Sequence, residues 1–311
     1  MVSIVEPKEK MSICDPTCGS GGMLIESRRY VRRTGGNPRN LILEGQESNY
    51  GTAGMCKMNM VLHGVVDFKI EYGDVLGNPR LVDGGKLKTY DKVLANFPFS
   101  MDWDNKIAAK DPYNRFRFGI PPEKDKADFA FIQHMFASLN RNGQAAIICS
   151  QGILFRGVEE EIREGMIKED VIEGIVALPA KLFYGTSIPG CVLILNRNKP
   201  VDRKNKIIFI YAANDYEEGK DRNKLRESDI EKIVSAFRNY KDVDRYCHIA
   251  DSEQLKENEF NLNVPRYVDT SEPEDEIDIQ ATIDELKKLE KEQKELESQV
   301  NTNLKELGFV V

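Results

Sequence analysis

Through about residue 200, short apolar runs alternate with segments whose apolar residues recur at helical spacing. MSICD, LILEGQE, FKIEYGD, KVLAN, QAAIIC, VIEGIVAL and CVLILN predict strands. Residues 22–33, 50–63 and 126–139 predict helices. Strand, helix, strand in this rhythm predicts an α/β fold with a doubly wound parallel sheet. The last two runs are joined by PAKLFYGTSIPG, which leaves no room for a crossover helix. An antiparallel hairpin at the sheet edge is therefore expected there. KIIFIYA, near 206–212, predicts one more strand, and 222–240 one more helix.

The acidic stretch SEPEDEID, 271–278, reads as a linker. Beyond it Ile279, Ile283, Leu286, Leu289, Gln293, Leu296, Val300, Leu304 and Leu307 follow one another at steps of three or four. That spacing predicts a long amphipathic helix, folded back on its own domain or docked on a partner. Three regions are expected: a core over 1–200, an α/β extension over 201–270, and the linker with its helix over 271–311.

Charge sharpens this division. Residues 271–311 hold 12 acids and 5 bases, so the other 39 acids and 39 bases leave residues 1–270 neutral. A neutral body has room for a local basic cleft, though not for tight nucleic-acid binding unaided. A hydrophobic fraction of 41% argues for a packed core over disorder. No apolar run approaches the ~20 residues of a membrane span, and the first residues lack the pattern of a signal peptide. The six cysteines form no C-x-x-C pair. Reduced thiols in the cytoplasm are expected, and no metal site.

The densest local chemistry is DPTCGSGGMLIES, residues 15–27. A strand ends at Asp15, a glycine-rich turn follows, and a helix begins near Gly22. Free N–H groups at such a helix start favour a carboxylate or phosphate. Phosphate loops carry a lysine or a G-x-G-x-x-G pattern, and neither is present. An acid at the mouth instead suits a cationic ammonium. S-adenosylmethionine offers an ammonium, a carboxylate and a sulfonium together. Asp15, Thr17, Gly19, Ser20, Gly21 and Gly22 are the candidate cradle for its methionine end. An acid after the second strand, Glu47 or its rival Glu44, would meet ribose hydroxyls. Asp74, after the third, would accept from the adenine amino group.

The fourth strand runs into Asn96-Phe97-Pro98-Phe99. An Asn/Asp-Pro-Pro-aromatic tetrad at this place marks methyltransferases that act on planar amino groups. With DPTCGSGG it resembles the adenine-N6 DNA methyltransferases, and most closely the methylation subunit of type I restriction-modification systems. LHG at 62–64, ADFAFIQHMFASL at 127–139, LPAKLFYGTSIPGCVLIL at 178–195 and NLNVPRYVD at 261–269 extend the likeness over residues 12–270. Two places depart from the family pattern. Phe97 stands where proline is usual, and ICSQ at 148–151 lacks a proline found more often.

The resemblance implies a Rossmann-like class I methyltransferase sheet and methyl transfer from S-adenosylmethionine to a flipped adenine. Asn96 and a tetrad carbonyl would hold the amine, and Phe99 would stack on the base. It implies DNA, a specificity subunit, a second methylation subunit and a restriction subunit as partners, with no membrane. It also implies an N-terminal helical domain that this sequence lacks, and hence weak cofactor binding. The loop after the tetrad carries Trp103, Tyr113, Arg115, Phe116 and Arg117, read either as contacts to the flipped strand or as local packing. Two other readings stay open: a glutamine methyltransferase acting on a protein, and a non-catalytic scaffold.

Overall fold

The computed structural model describes residues 1–124, 126–183, 186–271 and 279–306. The chain divides into two compact units, Met1–Thr270 and Ser271–Val311. The expected linker at 271–278 lies, from 272 onward, outside the described residues.

In the first unit the strands are β1 (Ser12–Asp15), β2 (Ile42–Glu47), β3 (Lys69–Tyr72), β4 (Val82–Asp83), β5 (Lys86–Leu87), β6 (Tyr90–Asn96), β7 (Leu139–Ser150), β8 (Ile172–Ala177), β9 (Gly190–Asn196), β10 (Lys206–Tyr211) and β11 (Cys247–Asp251). The helices are α1 (Val2–Val5), α2 (Gly22–Arg33), α3 (Tyr50–Leu62), α4 (Lys106–Ala109), α5 (Asp128–Ala137), α6 (Glu160–Lys168), α7 (Glu227–Asn239) and α8 (Ser252–Glu257). Nine strands form one sheet in the order β11-β10-β8-β9-β7-β6-β1-β2-β3, and β4 pairs with β5 alone.

Alternation along each strand feeds two cores. In β10, Ile207 and Phe209 join one and Ile208 and Ile210 the other. In β6, Val93 and Ala95 face away from Leu94 in the same manner. Strands covered on both faces read as continuous apolar runs, which is why these segments stand out in the sequence. Helices α2, α3 and α7 pack on one face through Leu24, Met60 and Phe237. Helices α5 and α6 pack on the other through Phe131 and Ile162.

β8 and β9 are antiparallel, as their short connection predicts. The hairpin does not lie at the edge, however. β9 is inserted between β7 and β8 and antiparallel to both, while β10 continues the sheet in parallel with β8. β11 then closes that side antiparallel to β10. The apolar faces of β8 are both covered, so its outer backbone edge is used as well. Residues 206–211 and 247–251 thus belong to the same sheet as the preceding strands.

Parallel β1, β2, β3 and β6 all end on one side, and the turns after them meet there. The second unit holds α9 (Ile279–Glu306), whose Ile283, Leu286, Leu289, Leu296 and Val300 are exposed. Among the described residues no helix is long and apolar enough to cross a membrane, and no His/Cys/Asp/Glu cluster suits a metal ion.

Candidate active site

The glycine turn is held by its own backbone. Cys18 N–H donates to the Gln46 carbonyl at 3.0 Å, and Gly21 N–H to the Cys18 carbonyl at 2.7 Å. Gly21 has φ 83° at the start of α2, and a Cβ there would lie 2.9 Å from Cys56 Sγ. Gly45 lets the turn lie flat on β2, since its Cβ would meet Cys18 and the Asp15 carbonyl at 3.0 and 3.1 Å. Both positions require the absence of a side chain.

Asp15 is buried at the end of β1, with Thr17 N–H donating to Oδ1 at 3.1 Å. Burial pushes its carboxyl up to about 7; the Thr17 hydrogen bond opposes this and the Glu47 charge adds to it. Nearby, the Thr17 hydroxyl is itself buried and makes no well-formed hydrogen bond.

Glu47 and Glu44 separate clearly. Glu47 Oε2 accepts from Gly19 N–H and Oε1 from Asn49 N–H, both at 2.9 Å, so its carboxylate is fixed beside the glycine turn. Glu44 is buried three residues earlier, where it accepts from Lys88 Nζ at 2.7 Å and Tyr90 OH at 2.5 Å. Asp74 caps its own turn, accepting from Leu76 N–H at 3.0 Å and Gly77 N–H at 2.9 Å, and stays exposed.

One cavity of about 570 Å³ gathers the ends of these strands. Thr17, Gly19, Glu47 and Asp74 line it, and so do Asn96, Phe97 and Pro98. Five of the expected residues do not. Asp15 lies beneath, just before the lining Pro16 and Thr17. Ser20 holds α3 through its carbonyl, which accepts from Asn59 Nδ2 at 2.8 Å. Gly21 and Gly22 open α2. Phe99 stands beside the lining, its ring edge-on to Phe97 at 6.2 Å and to Phe183 at 6.1 Å. Glu44 is absent from the lining as well.

The tetrad has two distinct anchors. Phe97 is 2% exposed and stacks on Phe131 at 4.9 Å, with 15° between the rings. The larger ring in the usual proline position thus replaces ring rigidity with a core contact. Behind the tetrad, Ser100 N–H donates to the fully buried Asp128 at 3.0 Å. Asp128 also accepts from Ser150 Oγ at 3.3 Å and Arg156 at 2.6 Å, tying the turns after β6 and β7 together. The Asn96 side chain is left exposed at the strand end.

The loop after the tetrad is packed locally. Trp103 is buried, lines the cavity, and donates from Nε1 to the Pro122 carbonyl at 2.9 Å. Arg115 is buried, paired with Asp111 at 2.7 Å, and donates to the Val75 and Leu76 carbonyls at 3.0 and 2.8 Å. It clasps this loop to the turn that carries Asp74. Burial and the Arg115 charge hold His134 down to about 3, so it stays neutral. Arg117 pairs with Glu169. The sequence reading missed Phe183, Phe131, Asp128 and the clasp, because their partners lie far along the chain.

A family model described as N-6 DNA Methylase matches residues 1–276. The chain is 40% identical to the type I restriction enzyme MjaVIII methylase subunit of Methanocaldococcus jannaschii, covering 99% of this chain and 54% of that protein. It is 36% identical to the HindI methylase subunit of Haemophilus influenzae, over 98% of this chain and 71% of that one. Among solved structures, a type I restriction-modification system methyltransferase subunit from Streptococcus thermophilus superposes with a TM-score of 0.79 at 37% identity, covering 86% of this chain and 57% of that one. The EcoKI M protein shares the fold at 18% identity, with a TM-score of 0.69 over 100% of this chain and 71% of that one. The chain spans about half the length of the first two curated relatives it matches. By its sequence, its nine-stranded sheet and the family model that covers most of its length, this chain belongs to the N-6 DNA methylase family.

Proposed function

We propose that this chain is the methyl-transferring part of a type I restriction-modification methylase and acts on the N6 amino group of adenine in DNA. One observation carries the reading: a single cavity receives the glycine turn, the acids after β2 and β3, and the tetrad after β6. S-adenosylmethionine, when bound, supplies a methyl group already activated on a sulfonium. The residues fit that group. The carboxyl of Asp15, held near 7 by burial, would gain an ammonium partner, and the buried Thr17 hydroxyl a hydrogen-bond partner. Glu47 would accept from ribose hydroxyls, and Asp74 from an adenine amino group. Trp103 and Leu76 supply apolar wall for the purine.

The chain's own task is orientation. An exocyclic amine is a poor nucleophile because its lone pair is delocalised into the ring. Donated to the Asn96 side-chain oxygen and a tetrad carbonyl, its hydrogens would turn the lone pair toward the methyl. Fixing the reactants in this manner removes several kcal/mol of the barrier. Phe99 would stack on the base, which must leave the duplex to enter. The aromatic wall continues into Phe183.

Reading a DNA sequence falls to a partner in this proposal. A specificity subunit, a second methylation subunit and a restriction subunit are the expected company, in a cytoplasmic setting. The exposed apolar stripe of α9 is the docking candidate. Incubation of the assembled enzyme with tritiated S-adenosylmethionine and DNA, then digestion to nucleosides, tests the reading. Label in N6-methyl-2′-deoxyadenosine is expected; label in protein glutamine, or none, would overturn it.

A further inference from the structure

We propose that a second, basic cavity beside the tetrad holds the phosphodiester backbone of the displaced strand next to the target nucleotide. This rests on the DNA reading above. A nucleotide drawn out of a duplex brings a phosphate on each side. The first cavity cannot take them, since Glu47, Asp74, Asp102 and Asp104 line it. The arginines of the long loop cannot either, because Arg115 is buried on Asp111 and Arg117 is paired with Glu169.

The second cavity, of about 630 Å³, lies between residues 178–183 and 186–189, which follow β8, and residues 212–226, which follow β10. These strands are parallel, so both loops leave the same end of the sheet. Lys181, Lys220, Arg222 and Lys224 line the hollow, with Asp221 as the acid in its lining. Phe183, Thr186 and Ser187 complete the wall. Cations and hydroxyls are the usual donors to phosphate oxygens. With an aromatic ring beside them they suit a single strand, whose bases stack while its backbone is neutralised.

The hollow is built, not a chance grouping of surface lysines. Asn223, itself buried, donates its backbone N–H to the Lys181 carbonyl at 2.9 Å and its amide to the Ala180 carbonyl at 3.0 Å. Glu217 and Lys224 exchange backbone hydrogen bonds at 2.8 and 3.0 Å, closing the intervening turn. The turn is thereby clipped onto Lys181, whose own backbone sits at φ 55°, a region that favours glycine. Glu217 and Glu218 enter the same turn but are not part of the lining. Phe183 links the two sites, because its ring meets that of Phe99. The basic hollow therefore begins where the tetrad ends.

Salt-dependent binding of a fluorescein-labelled 20-nucleotide single-stranded DNA to the full chain tests this. Lys220→Gln with Lys224→Gln is compared with Lys8→Gln and Lys10→Gln, which precede β1 at the opposite end of the sheet. Each lost phosphate contact lowers the slope of log K against log salt by about 0.7 on a single strand. The first pair is expected to lower it by roughly 1.4, with the melting temperature unchanged, and the second pair to leave it unaltered. An unchanged slope in the first pair, an equal fall in both pairs, or no binding by the parent chain would overturn the proposal. So would displacement by inorganic phosphate beyond that of chloride at matched ionic strength, which would mark a small-anion site. Cellular N6-methyladenine separates the two ideas. If it vanishes with Asn96→Ala while the salt slope ignores Lys220 and Lys224, the DNA reading stands and the basic hollow falls.

Discussion

At Asp15 burial outweighs the hydrogen bonding from Thr17, and the carboxyl titrates near 7 in the folded chain. In the unfolded chain it titrates near 3.8. Between these values the folded state holds the extra proton, so stability falls as pH rises from about 4 to about 7. A shift of this size is worth about 4 kcal/mol at most. Asp15→Asn should therefore unfold at higher urea than the parent at pH 8, and the gap should close toward pH 4. Glu159, also pushed up to about 7 by burial, adds a loss of the same sign. Only the difference between variant and parent isolates Asp15. The same variant should bind S-adenosylmethionine more weakly at pH 8, because the ammonium loses its counter-charge. Equal affinity in titration calorimetry would remove Asp15 from the cradle. Phe97 supplies a second test at this scale. Restoring the family's proline removes a stacked, buried ring, so Phe97→Pro should cost about 3 kcal/mol in spite of matching the tetrad. A variant as stable as the parent in urea would show that the Phe131 contact contributes nothing. The sequence could nominate Asp15 and the tetrad, because strand end, glycine turn and tetrad are local patterns. It could not choose between Glu44 and Glu47. That choice depends on Lys88 and Tyr90, more than forty residues away.

Among the elements, Gly22–Arg33 was legible to the residue, since a glycine turn starts the helix and apolar spacing carries it. α6 was not foreseen, having few apolar positions beyond Ile162 and Met166. The hairpin β8–β9 was read correctly as antiparallel and wrongly as an edge. Periodicity reports which faces are covered, not which strand lies beyond. The loop after the tetrad offered arginines and aromatics that local pattern alone could not assign to DNA or to packing. Arg115 answers for itself by its four partners in Asp111, Val75, Leu76 and His134. Arg115→Met strips the buried Asp111 carboxylate of its counter-charge and leaves it only the backbone N–H of residue 115 among these contacts, which should cost about 3 kcal/mol. Cofactor affinity should fall with it, as the Asp74 turn loses its clasp. Thermal melting with and without S-adenosylmethionine checks both, and an unshifted melt would refute the clasp. For α9, deletion of residues 279–311 should leave the unfolding of the remaining chain unchanged and abolish co-purification with the specificity subunit. Retained co-purification would move the docking surface elsewhere.

Taken whole, the molecule has a neutral body whose charges are sorted by place. Acids meet at the cavity that receives the glycine turn and the tetrad, and cations gather at the hollow between the loops after β8 and β10. Composition hid this, because the net charge of -7 comes from residues 271–311. Family membership fixes the fold; methyl transfer, its target base and the partners are what is proposed. Asn96 is the point at which the whole account is exposed, because its side chain is solvent-facing at the end of β6 and its loss should not disturb the core. Single-base mapping of N6-methyladenine in source cells, with the native gene and with Asn96→Ala, is the most direct test. The account predicts that methylation disappears at one bipartite motif, two short half-sites around a gap, and persists elsewhere. Methylation unchanged at every site in the variant would contradict it.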